Sequence, residues 1–153
     1  MKNYYKAKSL TTDKWVYGMH TEQPAPLQAI GEQGSPRTFL VMQDPNYIPD
    51  WNMPIPMAMV EVDENTLCQW TGLVDGYGNN IFEHDIVSLD DREFTVEYKT
   101  TIRNIQYPNS NFISPVSITG VVFIKDNLDL FPSVDEDGSS DVEVMQVIGN
   151  EYD

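Results

Sequence analysis

Proline limits what this chain can fold into. Ten prolines are present, and seven of them, at 24, 26, 36, 45, 49, 54 and 56, fall before residue 57. Each removes a backbone donor and fixes φ, so neither a long helix nor a central strand can run through those positions. Nine glycines add further breaks. No interval keeps a 3.6-residue apolar period over three turns, which argues against a long amphipathic helix. Between the breaks lie short stretches rich in Val, Ile, Thr, Tyr, Phe and Trp. That pattern predicts many short strands and an all-β fold.

Residues 4–9 and 14–19 read as a hairpin turning near Thr12 and Asp13. Residues 22–36 read as a loop, 37–42 as a third strand, and 44–56 as an irregular segment because of Pro45, Pro49, Pro54 and Pro56. Residues 57–62 form another strand candidate, followed by the polar Asp63, Glu64 and Asn65. Further on, Phe94, Val96 and Tyr98 alternate with Thr95, Glu97 and Lys99, which places rings and charges on opposite faces. Residues 116–125 are the most apolar strand candidate, and Gly120 in their middle predicts a bulge or sharp bend. Residues 127–131 suggest one helical turn, and 142–149 a last strand.

Charge then excludes several functions. Twenty-four Asp and Glu against nine Lys and Arg give a formal charge of -15. Nucleic-acid affinity comes mainly from Lys and Arg displacing counterions, so direct binding to a phosphate backbone is not expected. An anionic membrane surface repels such a chain for the same reason, and no apolar run approaches the roughly 18 residues of a spanning helix. The first residues lack the apolar stretch of a secretory signal, and the single Cys68 fits a reducing cytoplasm. Residues 1–14 hold four lysines and one acid, whereas residues 126–153 hold nine acids and no base. Such asymmetry favours the two ends meeting, within or between subunits; a solvated acidic face is the simpler alternative.

The most distinctive run is 69–87. Asp75-Gly76-Tyr77-Gly78-Asn79 offers two glycines able to take positive φ, so the chain can reverse tightly there. Ile81 and Phe82 add apolar weight, and Glu83-His84-Asp85 forms a second polar turn before Ile86 and Val87. Two turns around a short apolar segment make a compact corner of a small barrel.

This run resembles the signature of the YopX family, small proteins commonly encoded by phages, prophages and mobile elements. Gln69, Thr71, Gly72, Leu73, Asp75, Gly78, Ile81, Phe82, Glu83, Asp85, Ile86 and Val87 match it. Lys14-Trp15-Val16-Tyr17-Gly18, the lead-in from Val62-Asp63 to Thr66, and the closing Val147-Ile148-Gly149-Asn150 with Tyr152 are similar to the family's other motifs. Trp70 stands where Phe or Tyr is usual. His84 replaces a glycine, which costs on the order of 1 kcal/mol if left-handed φ is required there. The resemblance implies a β-rich fold with an SH3-like barrel in its C-terminal part, and self-association. It implies no reaction and no catalytic residues.

Reactive chemistry finds little support in the residues. His20 and His84 lie far apart and Cys68 has no Cys-x-x-Cys partner, so a zinc site of about four N or S ligands is not expected. Consecutive residues such as Glu83, His84 and Asp85 point in different directions. In Asp135-Glu136-Asp137-Gly138-Ser139-Ser140-Asp141 the glycine falls too early for a calcium loop, which leaves a solvated hairpin turn. Cys68 reads as a small buried hydrophobe. Aromatics are the better clue: Trp15, Tyr17, Tyr47, Trp51, Trp70 and Tyr77 either serve an interface or cap a small barrel. Residues 54–60 are too apolar for water, and should pack on their own domain or on a neighbouring subunit.

The expectation is a mostly β protein, with an irregular N-terminal β segment over 1–66 packed on an SH3-like barrel over 67–153. Its expected function is a non-enzymatic interaction module of a phage or mobile element. It should act as a homo-oligomer in the bacterial cytoplasm, with a host protein as partner and without cofactor or metal. Tyr47, Trp51, Met53 and Tyr77 are the candidate interaction surface. One alternative is an acidic nucleic-acid mimic that occupies a host DNA-binding protein. Another is an uncharacterised enzyme, which requires two titratable groups meeting in a pocket.

Overall fold

The computed structural model describes residues 3–25, 34–48 and 54–153, and the chain divides into two compact units, Met1–Trp70 and Thr71–Asp153. The described residues are mostly strand, and every strand pair is antiparallel.

The first unit holds β1 (Tyr5–Lys8), β2 (Trp15–Gln23), β3 (Arg37–Gln43) and β4 (Met57–Glu61), in the order β4-β3-β2-β1. The start of β5 (Cys68–Val74) extends this sheet, with Cys68 opposite Lys6 and Gln69 opposite Tyr5. Beyond β4, Val62 bridges to Ser9, Leu10 donates to the Glu61 carbonyl and Asp63 to that of Lys8. These bonds curl the sheet and bury Ala7, Leu40 and Val62 against Tyr5, Val16, Val60 and Leu67. Gly18 is required by close approach, since a Cβ there would stand 2.4 Å from the Val41 carbonyl oxygen. A 3-10 turn, Glu64–Thr66, is capped by the Asp63 carboxylate, and the Thr66 hydroxyl accepts from the Lys8 amide at 2.8 Å.

Residues 54–60 pack on their own unit only in part. Alternation splits them: Val60 lines the core, whereas Ile55, Met57 and Met59 are exposed. Met19, Val41 and Met59 stand opposite one another across three strands, with Tyr17 and Met57 two residues along on the same face.

In the second unit the rest of β5 pairs with β6 (Asn80–Phe82). A five-stranded sheet follows, built from β7 (Asp85–Leu89), β8 (Arg92–Gln106), β9 (Ile113–Lys125), β10 (Leu128–Leu130) and β11 (Gln146–Asn150), in the order β10-β9-β8-β7-β11. Its core is Ile81, Val87, Phe94, Val96, Phe123, Val142 and Met145.

Three local expectations are corrected. The β8–β9 register passes through Lys99 and Gly120 without a shift, so Gly120 makes no bulge. The bulge lies in β11, where Val147 faces Val87 and Gly149 faces Ile86, leaving Ile148 extra. Residues 127–131 are not helical, because Asp126 and Asn127 turn the chain back and β10 pairs with β9. The 142–149 run begins as a 3-10 turn, Asp141–Val144, which drops Val142 and Met145 into the core. Along β8, Phe94, Val96 and Tyr98 alternate with Thr95, Glu97 and Lys99; Phe94 and Val96 are buried and Tyr98 is exposed, since β7 stops pairing with β8 at Thr95.

The β7–β8 turn is made by Asp90 and Asp91, both with positive φ (48° and 59°). Two left-handed residues between paired strands form the turn that prefers Asn-Gly or Asp-Gly. Replacing Asp91 by glycine relieves a left-handed side chain and one of two adjacent like charges. Thermal unfolding of Asp91→Gly should show a gain of about 0.5–1 kcal/mol.

Candidate functional site

The run 69–87 folds as β5, a turn, β6, a second turn and β7. In β5, Thr71 donates its hydroxyl to the Ile81 carbonyl at 2.7 Å and accepts from the Leu73 amide, while Gly72 takes φ +89°. Leu73 packs against the core; Ile81, Phe82 and Val87 are buried in it or beside it; Ile86 pairs with Thr95 and Gly149.

Asp75 organises the first turn. Its Oδ1 accepts from the amides of Tyr77 (2.9 Å) and Asn79 (2.8 Å). Its Oδ2 accepts from the Asn79 side chain (3.0 Å) and from the Val147 amide (2.9 Å), 72 residues away. Two donors on each oxygen use the roughly four lone-pair sites of a carboxylate. Burial alone would raise its pKa. The donors from Val147, Asn79 and Tyr77 outweigh that and hold Asp75 below the ordinary carboxylate value.

The two glycines of this turn have different reasons. Gly78 takes φ +87°, as expected, with open space around it. Gly76 does not take positive φ; its requirement is room, because a Cβ there would stand 2.1 Å from the Glu143 carbonyl oxygen. The Gly76 amide also donates to the Met145 carbonyl at 3.1 Å.

The second turn grips the same C-terminal run. Asp85 is fully buried; its Oδ2 accepts from the Phe82 amide at 2.8 Å and its Oδ1 from the Asn150 side chain at 2.9 Å. His84 takes φ +63°, the left-handed conformation anticipated for a position usually held by glycine. Its amide donates to Val96, its carbonyl accepts from Glu151, and its Nδ1 lies 2.8 Å from the Glu151 carboxylate beside the Tyr152 ring. Glu83, the other turn residue, is half-buried.

These two turns therefore clamp β11 and the segment leading into it. The arrangement holds shape. A carboxylate saturated with donors and held at low pKa is a poor base, and it has no lone pair left for a cation.

Of the candidate interaction residues, Tyr77 stands 73% exposed at the tip of the first turn. Tyr47 is half-buried in a turn where its amide donates to the Asp44 carbonyl. Trp51 and Met53 lie outside the described residues. Cys68 is buried, with its thiol donating to the Thr66 carbonyl. In the acidic run, Asp135 and Gly138 close a turn in which Asp137 accepts from the Ser139 amide and hydroxyl. Among the described residues no three His, Cys, Asp or Glu side chains are grouped as a metal ion needs, and no helix is long and apolar enough to cross a membrane.

Two features escaped the sequence reading. One is the exposed apolar face of the first unit, where Tyr17, Met19, Val41 and Met57 line a groove of about 410 Å³. The period-2 spacing of Met57 and Met59 was its signal. The other is the far half of the β8–β9 hairpin, signalled by the absence of any charged residue from 104 to 124.

Fold and site together define a class: an antiparallel β protein whose polar corner fastens its own C-terminal strand. The family model described as YopX protein matches residues 44–153, and the chain belongs to that family. Comparison with curated proteins and with solved structures returns no match.

Proposed function

We propose that this chain is a non-enzymatic interaction module of a phage or mobile element, acting as a homo-oligomer that engages a host protein in the bacterial cytoplasm. The second unit is read as a variant of the SH3-like barrel. The observation that carries this reading is the contrast between the two kinds of side chain. The signature carboxylates of Asp75 and Asp85 are turned inward to backbone and amide donors, while large apolar groups stand in water. Methionine-rich faces adapt to varied partners, and partner surfaces favour aromatics and methionine. The groove at Tyr17, Met19, Val41 and Met57 meets both descriptions.

Affinity capture from host cells, comparing the native chain with Met19→Lys/Met57→Lys, tests it. A host protein retained by the native chain should be lost by the variant, with the thermal unfolding of the two kept alike. An identical set of captured proteins from both would count against the apolar face. The charge of -15 supports a second reading, the nucleic-acid mimic. That reading predicts a DNA-binding host protein whose capture ignores the methionines and weakens steeply with salt.

A further inference from the structure

We infer that the far half of the β8–β9 hairpin is an arm on which a second copy of this chain docks. This deepens the homo-oligomeric part of the proposed function and rests on it.

Neighbouring strands cover only the base of the hairpin. β7 pairs with β8 no further than Thr95, and β10 pairs with β9 only from Phe123 onward. The β8–β9 ladder nevertheless continues, unbroken, to Gln106 opposite Ile113. From Lys99 to Gln106 that makes a two-stranded ribbon roughly 24 Å long at 3.4 Å per residue. Asp129 anchors its base, accepting from Lys99 at 3.0 Å and from Thr101 at 3.3 Å, and its carbonyl accepts from Arg103. Beyond Arg103 no other strand among the described residues pairs with the ribbon.

Its end is built and apolar. Ser110 donates to the Tyr107 carbonyl across a turn with Pro108 second and Asn109 third, the latter at φ 63°, as a type II turn requires. The Tyr107 and Phe112 rings lie 6.2 Å apart. Ile102, Ile105, Tyr107, Phe112 and Ile113 are all exposed, Ile102 by 69% and Phe112 by 64%. A two-stranded ribbon by itself is marginal in water, and such a surface gains by being covered.

Charge identifies the occupant. Residues 98–125 contain no acid and three cations, Lys99, Arg103 and Lys125, so this segment carries +3 and the remainder of the -15 chain carries -18. Lys99 and Arg103 are bonded to Asp129 at the base, and from 104 to 124 the arm offers no charge at all. Two strongly acidic copies can approach there without like-charge opposition. Nucleic acid is disfavoured because the far part presents no cation to a phosphate. The unpaired strand edges supply main-chain donors and acceptors, and antiparallel pairing of identical edges closes a two-fold dimer.

Light scattering and sedimentation equilibrium of the full chain test this. The native protein should sediment as a dimer or larger. Ile102→Glu/Phe112→Glu should weaken association at least about thirtyfold, the loss of one strong anchor or more. A second variant replaces residues 104–115 by Asn-Gly, joining the cross-strand neighbours Arg103 and Val116. It should be monomeric with unchanged protection of the β7–β11 amides, and it decides the matter if the first variant fails to fold. An oligomer that survives both variants overturns the arm while leaving an oligomeric module standing. A native monomer that captures its host protein through the arm overturns the inference and gives the arm a different partner. A native monomer with no selective capture overturns both readings.

Discussion

Asp75→Asn should cost the second unit about 3 kcal/mol, the scale expected when a buried charged acceptor is lost and its donors are left unpaired. The substituted amide keeps one acceptor oxygen and turns an NH₂ toward amides that must themselves donate. Tyr77, Asn79 and Val147 then compete for a single oxygen. The turn loosens and β11 loses a tether. All three tryptophans, at 15, 51 and 70, lie in the first unit, so fluorescence will not report the change. Unfolding should be followed by backbone NMR or far-UV circular dichroism. Acid gives the same interaction a second readout. The folded Asp75 pKa is depressed, so its contribution is fully present above the unfolded value of about 4 and is lost as pH falls from there through the folded value. The native chain should therefore lose more stability than Asp75→Asn over that acid window, and the two should run parallel above it.

Gly76→Ala should cost as much or more, about 3 kcal/mol, at the upper end of the usual penalty for overpacking. The added methyl would meet the Glu143 carbonyl oxygen at 2.1 Å, and that is backbone, which cannot rotate aside. Relief requires the turn to part from the 141–145 segment, breaking the Gly76 to Met145 hydrogen bond. Gly78→Ala provides the comparison two residues away. There the space is open and only the positive φ opposes a side chain, so the cost should stay near 1 kcal/mol. Urea unfolding of the two variants, side by side, separates steric need from conformational need. Equal losses would mean that the Glu143 carbonyl moves freely.

The ladder-forming parts of the fold were legible because period-2 spacing and proline breaks are local signals. The first hairpin and the 37–42 strand needed nothing more. The positive φ of His84 could be read from its place in a glycine-type turn. What could not be read was set by distant residues. Val142 carries a strand former's side chain, yet it enters a 3-10 turn because the core beside Ile81 and Phe123 needs filling. Gly76 looked like a second left-handed glycine, and only the arrival of Glu143 shows that its missing Cβ is what matters. Tyr98 fits an inward alternation, but β7 stops pairing with β8 at Thr95 and Tyr98 is left exposed. The role of Asp75 was hidden for the same reason, since its partner Val147 is 72 positions away. Two of the runs that carried the family resemblance, 69–87 and 147–152, turn out to be the two sides of one clamp.

The central claim is that this corner serves shape, with Asp75 and Asp85 fastening the C-terminal strand. Hydrogen exchange of the Val147 amide, resolved by NMR in the native chain and in Asp75→Asn, tests it most directly. The account predicts slow exchange in the native protein, a loss of that protection in the variant larger than at other β11 amides, and matching losses at Tyr77 and Asn79. A Val147 amide that exchanges freely in the native chain, or equally slowly in both proteins, would contradict it.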